Sequence, residues 1–149
     1  MPNPGPQYAH AFMMHRAALS ELMEKIPEDK GDYAPWSDGR TFIQLADHLS
    51  STAGFLAATA KGSQPQQPKT SANLAEAAEF LKTSGSELQQ TLAGLSPERL
   101  SEEVNFLGRN MPLHFLVDFL TNHEAHHKGQ LWLMARMVGV EPALFVKLG

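Results

Sequence analysis

Proline constrains this chain more than any other residue. Its ring fixes φ and removes a backbone donor, so it is disfavoured inside helices. The ten prolines stand at 2, 4 and 6, at 27 and 35, at 65 and 68, at 97 and 112, and at 142. Four long intervals remain between these clusters. In each, apolar residues recur at steps of three and four, the period of one buried helical face. The first interval, residues 7–26, carries Tyr8, Phe12, His15, Leu19, Leu22 and Ile26 on that face. The second opens between Ser37 and Thr41 and stops at Gly62, with Phe42, Leu45, Leu49, Thr52, Phe55 and Leu56 on its stripe. The third, residues 71–93, has Asn73 and Glu76 spaced as a capping box and a stripe of Leu74, Ala77, Leu81, Leu88 and Leu92. The fourth starts near Asn110 or Met111, takes Pro112 into its first turn, and runs to Val138 before Gly139.

No segment shows the strict alternation of a half-buried strand. Residues 27–40 and 62–70 read as loops, and residues 96–110 as a connector with room for a helical turn or a short extended piece. The reading is an all-α chain, one domain over residues 1–149, folded as a four-helix bundle. With 42% hydrophobic and 19% charged residues, the composition is that of a globular domain. A net charge of -4 argues against a nucleic-acid partner. No apolar run reaches membrane-spanning length, and the start MPNPGPQYAH has neither a basic nor an apolar leader region. A cytoplasmic protein is expected. Cysteine is absent, so any metal site must use nitrogen and oxygen donors, and any thiol chemistry must import its thiol.

The chemistry concentrates in NHEAHHKGQ, residues 122–130. The fourth stripe runs Leu113, Leu116, Leu120, His123, His127, Leu131 and Met134. His123 and His127 therefore sit one turn apart on the core-facing line, the geometry in which HxxxH chelates a metal. His126 is rotated off that line by about 100° per residue. His48 lies beside Leu45 and Leu49 on the second stripe. Three inward, neutral imidazoles aimed at one spot make a metal site with an open position, provided that the second and fourth helices are neighbours. His15 reads as an ordinary packed core histidine, and His10 and His114 as surface or packing residues.

His123-Glu124-Ala125-His126-His127 also matches HExxH, the zincin signature in which Glu124 would be the general base. Its context is missing. The extended metzincin form needs glycine and histidine where this chain has Gln130 and Leu133, and Glu141 is the one carboxylate side chain after His127. The protease reading is set aside.

TFIQLADHLS (41–50) and NHEAHHKGQL (122–131), approached through GRNMPLHFLVDFLTNHE, resemble the DinB-like (DinB/YfiT) family of bacterial metal-binding four-helix bundles. The resemblance covers nearly the whole chain. It implies one long crossover connection, often a homodimer, and a ligand triad falling on His48, His123 and His127. Lys128 departs from the family's usual arginine before GQ, and a lysine lacks the planar fork for a bidentate contact. The family includes thiol-dependent S-transferases and isomerases, hydrolase-like proteins and members of no known activity. The resemblance thus implies a metal-dependent enzyme that transfers a low-molecular-weight thiol to a small electrophilic molecule. A metal-dependent hydrolase and a non-catalytic metal-binding or stress-related protein are the alternatives. Zinc or nickel suits an all-histidine site best, with iron, copper and manganese as further candidates. Glu124, Gln130, Trp36 and His15 are candidate neighbours of the site without an assigned role.

Overall fold

The computed structural model describes residues 3–149. Among the described residues there are five α-helices, α1 (Gly5–Lys25), α2 (Phe42–Lys61), α3 (Leu74–Ala93), the short α4 (Pro97–Ser101) and α5 (Leu113–Met137), and one 3-10 turn at Glu28–Lys30. The four long ones form the bundle. Thr41 starts α2 with a full capping box: its hydroxyl accepts from the Gln44 amide, and its own amide donates to the Gln44 side chain. Asn73 starts α3 by accepting from the Glu76 amide, without the reciprocal bond. The first helix begins earlier than the sequence implies, at Gly5, because Pro6 falls in its first turn and costs no helical hydrogen bond.

Around the bundle, α1 and α2 each pack against α3 and α5, and so stand on opposite corners. Two core clusters fix the directions. At one end, Leu22 of α1 and Ile26 just after it meet Phe42 and Leu45 of α2, Leu74 of α3, and Leu131 and Met134 of α5. At the other end, Phe12 meets Leu56, Leu88, Leu92, Leu113 and Leu116. Thus α2 and α3 run parallel, and residues 62–73 carry the chain back along the whole bundle. A 20-residue helix spans about 30 Å, within reach of an extended connection of that length. This is the long crossover. Asp47 in α2 ties down its far end, with its two carboxylate oxygens accepting from the amide and the hydroxyl of Ser71, both at 2.6 Å.

The connector before α5 departs from the sequence reading. Residues 103–106 (β1) and 109–112 (β2) form an antiparallel hairpin, pairing Glu103 with Pro112 and Phe106 with Arg109. Leu107 and Gly108 turn it with positive φ (53° and 80°), the conformation a two-residue hairpin requires. Val104 and Phe106 rest on the core cluster around Phe12 and Leu56. Met111 and Pro112 therefore belong to β2, and α5 begins at Leu113. The strands are too short for a period-two pattern to register, and a leucine at a positive-φ position hides the turn. Arg99 of α4 donates to the carbonyls of Thr59 and Ala60, placing a cation on the last turn of α2. No helix among the described residues is long and apolar enough to cross a membrane.

Candidate metal centre

The α2–α5 contact brings the three sequence-singled histidines together. His48 lies in the second turn of α2, and His123 and His127 lie one turn apart on α5. The Nε2 atoms of His48 and His123 are 3.0 Å apart. The three ring centroids are 4.5–5.0 Å from one another, with nearly perpendicular planes. One ligand atom from each ring lies within 4.8 Å of the other two. All three side chains are partly buried. His126 is exposed and stands outside the cluster.

The electrostatics keep these rings neutral. Burial lowers the pKa of His48 to about 4, helped by the positive field of Arg40 and by the other two imidazoles. Burial is also the main cause of the lowered pKa of His123 and of His127, with Glu124 opposing both shifts. At neutral pH the lone pairs are therefore free to bind a cation. The Nδ1 of His127 is 2.7 Å from the Gln130 amide oxygen, an acceptor. Nδ1 must carry the hydrogen, which leaves the Nε2 lone pair for a ligand bond. His123 Nδ1 is buried without a hydrogen-bond partner.

Glu124 is not a base at this site. It points into the core and is 3% exposed, against an Arg16 that is 1% exposed. Arg16 Nε donates to one carboxylate oxygen at 2.6 Å and Nη2 to the other at 2.9 Å. The remaining donors of Arg16 reach the Leu81 carbonyl, the Ser84 hydroxyl and the Leu49 carbonyl. One guanidinium thus joins all four long helices beside the triad. Gly85 makes the space, since a Cβ there would stand 2.8 Å from Arg16 Cγ.

The sequence stripe placed His15, not Arg16, on the buried line of α1. Both are one turn from Leu19 or Phe12, and the structure turns Arg16 inward. A charged residue spaced four after Phe12 and three before Leu19 was the available signal. His15 instead bonds Lys128, with Nδ1 and Nζ 3.0 Å apart, in the seam between α1 and α5. Lys128 is buried there, donates to the Phe145 carbonyl and faces the Trp132 and Phe145 rings. Burial lowers the pKa of Lys128. Its ammonium thus anchors the C-terminal tail to the bundle and is not a site residue. His10 is exposed and His114 is partly buried.

A cavity of about 340 Å³ opens beside the triad, with His127 and Gln130 in its wall. Leu45 and Met134 form its floor, and Trp36 and Arg40 enter from the loop between α1 and α2. Trp36 and Gln130 thus join the site, whereas Glu124 and His15 do not. Arg40 carries no signal in the sequence beyond its place in the 27–40 loop.

The DinB family model matches residues 1–148 of this chain. The uncharacterized protein YjoA of Bacillus subtilis (strain 168) is 28% identical over 138 residues, 89% of this chain and 90% of that protein. The uncharacterized protein YrdA of the same organism is 42% identical over 41 residues, 28% of this chain and 25% of that one. The crystal structure of the DinB-like protein YjoA from Bacillus subtilis superposes with a TM-score of 0.83 at 26% identity, covering 95% of this chain and 98% of that one. A DinB-like protein from Bacillus cereus ATCC 10987 shares the fold, with a TM-score of 0.78 at 14% identity over 95% and 93% of the two chains.

Proposed function

The chain belongs to the DinB family, and from the three imidazoles that meet between α2 and α5 we propose a divalent-metal-dependent enzyme that transfers a low-molecular-weight thiol to a small electrophile. The observation that carries this reading is the triad itself, with ligand atoms of His48, His123 and His127 all within 4.8 Å of one another. The donor set fits a metal. Tetrahedral nitrogens at roughly 2.0–2.1 Å from a zinc ion stand about 3.3 Å apart, close to the 3.0 Å between two of these Nε2 atoms. Zinc or nickel is the first expectation, with iron, copper or manganese admitted by the same donors. A bound divalent ion supplies uncompensated positive charge that acidifies a thiol or water at its open position.

The chain's own residues do the rest. His127 is oriented by Gln130, and Arg16 takes both oxygens of the Glu124 carboxylate, so the clustered ligand atoms are those of three histidines. The cavity beside His127 is open to solvent and large enough to admit a small molecule. The chain has no cysteine, so the thiol is a cosubstrate. We also propose a homodimer, supported by Phe115, Phe119 and Met137, which are exposed along the outward face of α5.

Metal analysis of the purified protein, followed by conjugation assays with small thiols and electrophiles, tests the function. About one divalent ion per chain and chelator-sensitive turnover are expected. Hydrolysis without a thiol requirement moves the assignment to a hydrolase. Tight metal with no turnover across the panel overturns the enzymatic reading.

A further inference from the structure

The cavity beside the triad carries more than space. Its wall is mostly apolar, from Trp36, Leu133 and Met134, and it holds one cationic and one anionic side chain, Arg40 and Asp38. Leu133 is 60% exposed, and Trp36 is 62% exposed although tryptophan is on average a largely buried residue. The indole is held in place. Residues 36–39 close a turn through the Gly39 amide and the Trp36 carbonyl at 2.9 Å, and the ring lies on Gly39. A Cβ on Gly39 would stand 3.0 Å from the indole. Arg40 follows directly, is exposed, and forms no ion pair among the described residues. A free guanidinium at the mouth of an apolar cavity is a bidentate anion seat.

We propose that this cavity seats a small organic monocarboxylate, its carboxylate on Arg40, its apolar body on Trp36, Leu133 and Met134, and its far end toward His127. The assignment rests on reading the triad as a metal centre, because only then does the far end meet reactive chemistry. The size agrees: cavities of roughly 300–1,000 Å³ hold small-molecule ligands, and this one is about 340 Å³. Asp38 sets the charge. In the metal-free protein the wall carries one cation and one anion, so a second negative charge on the ligand finds no second cation to meet it, which favours a carboxylate over a phosphate dianion. The loop 36–40 is thus a specificity element: α2 and α5 hold the triad, and the loop chooses what approaches it.

The test compares 3-phenylpropionate, 3-phenylpropanol and 2-phenylethyl phosphate by titration calorimetry and saturation-transfer NMR, on the full chain loaded with metal and stripped of it. The carboxylate should bind about tenfold tighter than the alcohol, the worth of a partly solvated charge-assisted contact. Arg40→Gln should erase that preference and leave the alcohol unchanged, with Arg40→Lys restoring part of it. Trp36→Ala should weaken both. The two readings fail separately. If the chain takes up no metal but the stripped protein keeps an Arg40-dependent carboxylate preference, the metal centre falls and the carboxylate seat stands. In the stripped protein, equal affinity for acid and alcohol, tighter binding of the phosphate, a preference that survives Arg40→Gln, or no binding of any probe at millimolar concentration overturns the proposal.

Discussion

Glu124→Gln should be among the most destabilising single changes that keep side-chain shape. The substitution preserves volume and one acceptor oxygen but removes the charge facing Arg16. Arg16 is 1% exposed and spends two of its donors on the carboxylate, so no water can replace the lost anion. Leaving one charge of a buried pair uncompensated costs about 3–5 kcal/mol. A natural domain holds about 5–15 kcal/mol in all, so the loss is a large fraction of the total. For a chain of this length it lowers Tm by roughly 6–20 °C. The double change Arg16→Met with Glu124→Leu removes both charges and refills the space. The Leu49 and Leu81 carbonyls lie inside α2 and α3, where backbone amides already pair with them. The double variant should return to within about 1–2 kcal/mol of the parent. Urea unfolding followed by circular dichroism, with calorimetry for Tm, measures both. If Glu124→Gln costs under about 1 kcal/mol, or the double variant is as unstable as the single, the pair is not the buried charge lock described above.

Four further outcomes follow from the site. His48→Ala, His123→Ala and His127→Ala should each largely empty the metal site while His126→Ala leaves it nearly full, as read by metal content after gel filtration. Gln130→Ala frees His127 to rotate and should weaken metal binding about 10–100-fold in competition titrations with a chromophoric chelator. The triad pKa values lie below the ordinary 6.5, so the unfolded chain takes up protons before the folded one. The metal-free protein should therefore lose stability as pH falls below about 6.5, with the His48 share complete near pH 4, in thermal melts across that range. Sedimentation should show a dimer that Phe115→Glu with Phe119→Glu converts to monomer with the helical content unchanged.

The sequence alone was enough to find the four long helices, because proline forbids and a three–four period requires. It was enough to put His123 and His127 on one line of α5, since a spacing of four fixes their relation whatever packs against them. It also put His48 near its own buried stripe. Helix adjacency was beyond it: only the crossover at 62–73 and the resulting parallel pairing of α2 with α3 bring α2 against α5 and close the triad. The hairpin escaped because four-residue strands carry no period and are stabilised by their partner. Arg16 and Lys128 escaped for a deeper reason. A cation in the core is ruled out by local hydropathy and admitted only when other helices supply Glu124, a carbonyl or a tail to receive it. Trp36 was legible only as a candidate neighbour without a role, and Arg40 not at all, because the composition of their loop says nothing of where it lands. Periodicity is a property of one segment, but a site is made where segments meet, and which segments meet is settled by burying all the stripes at once.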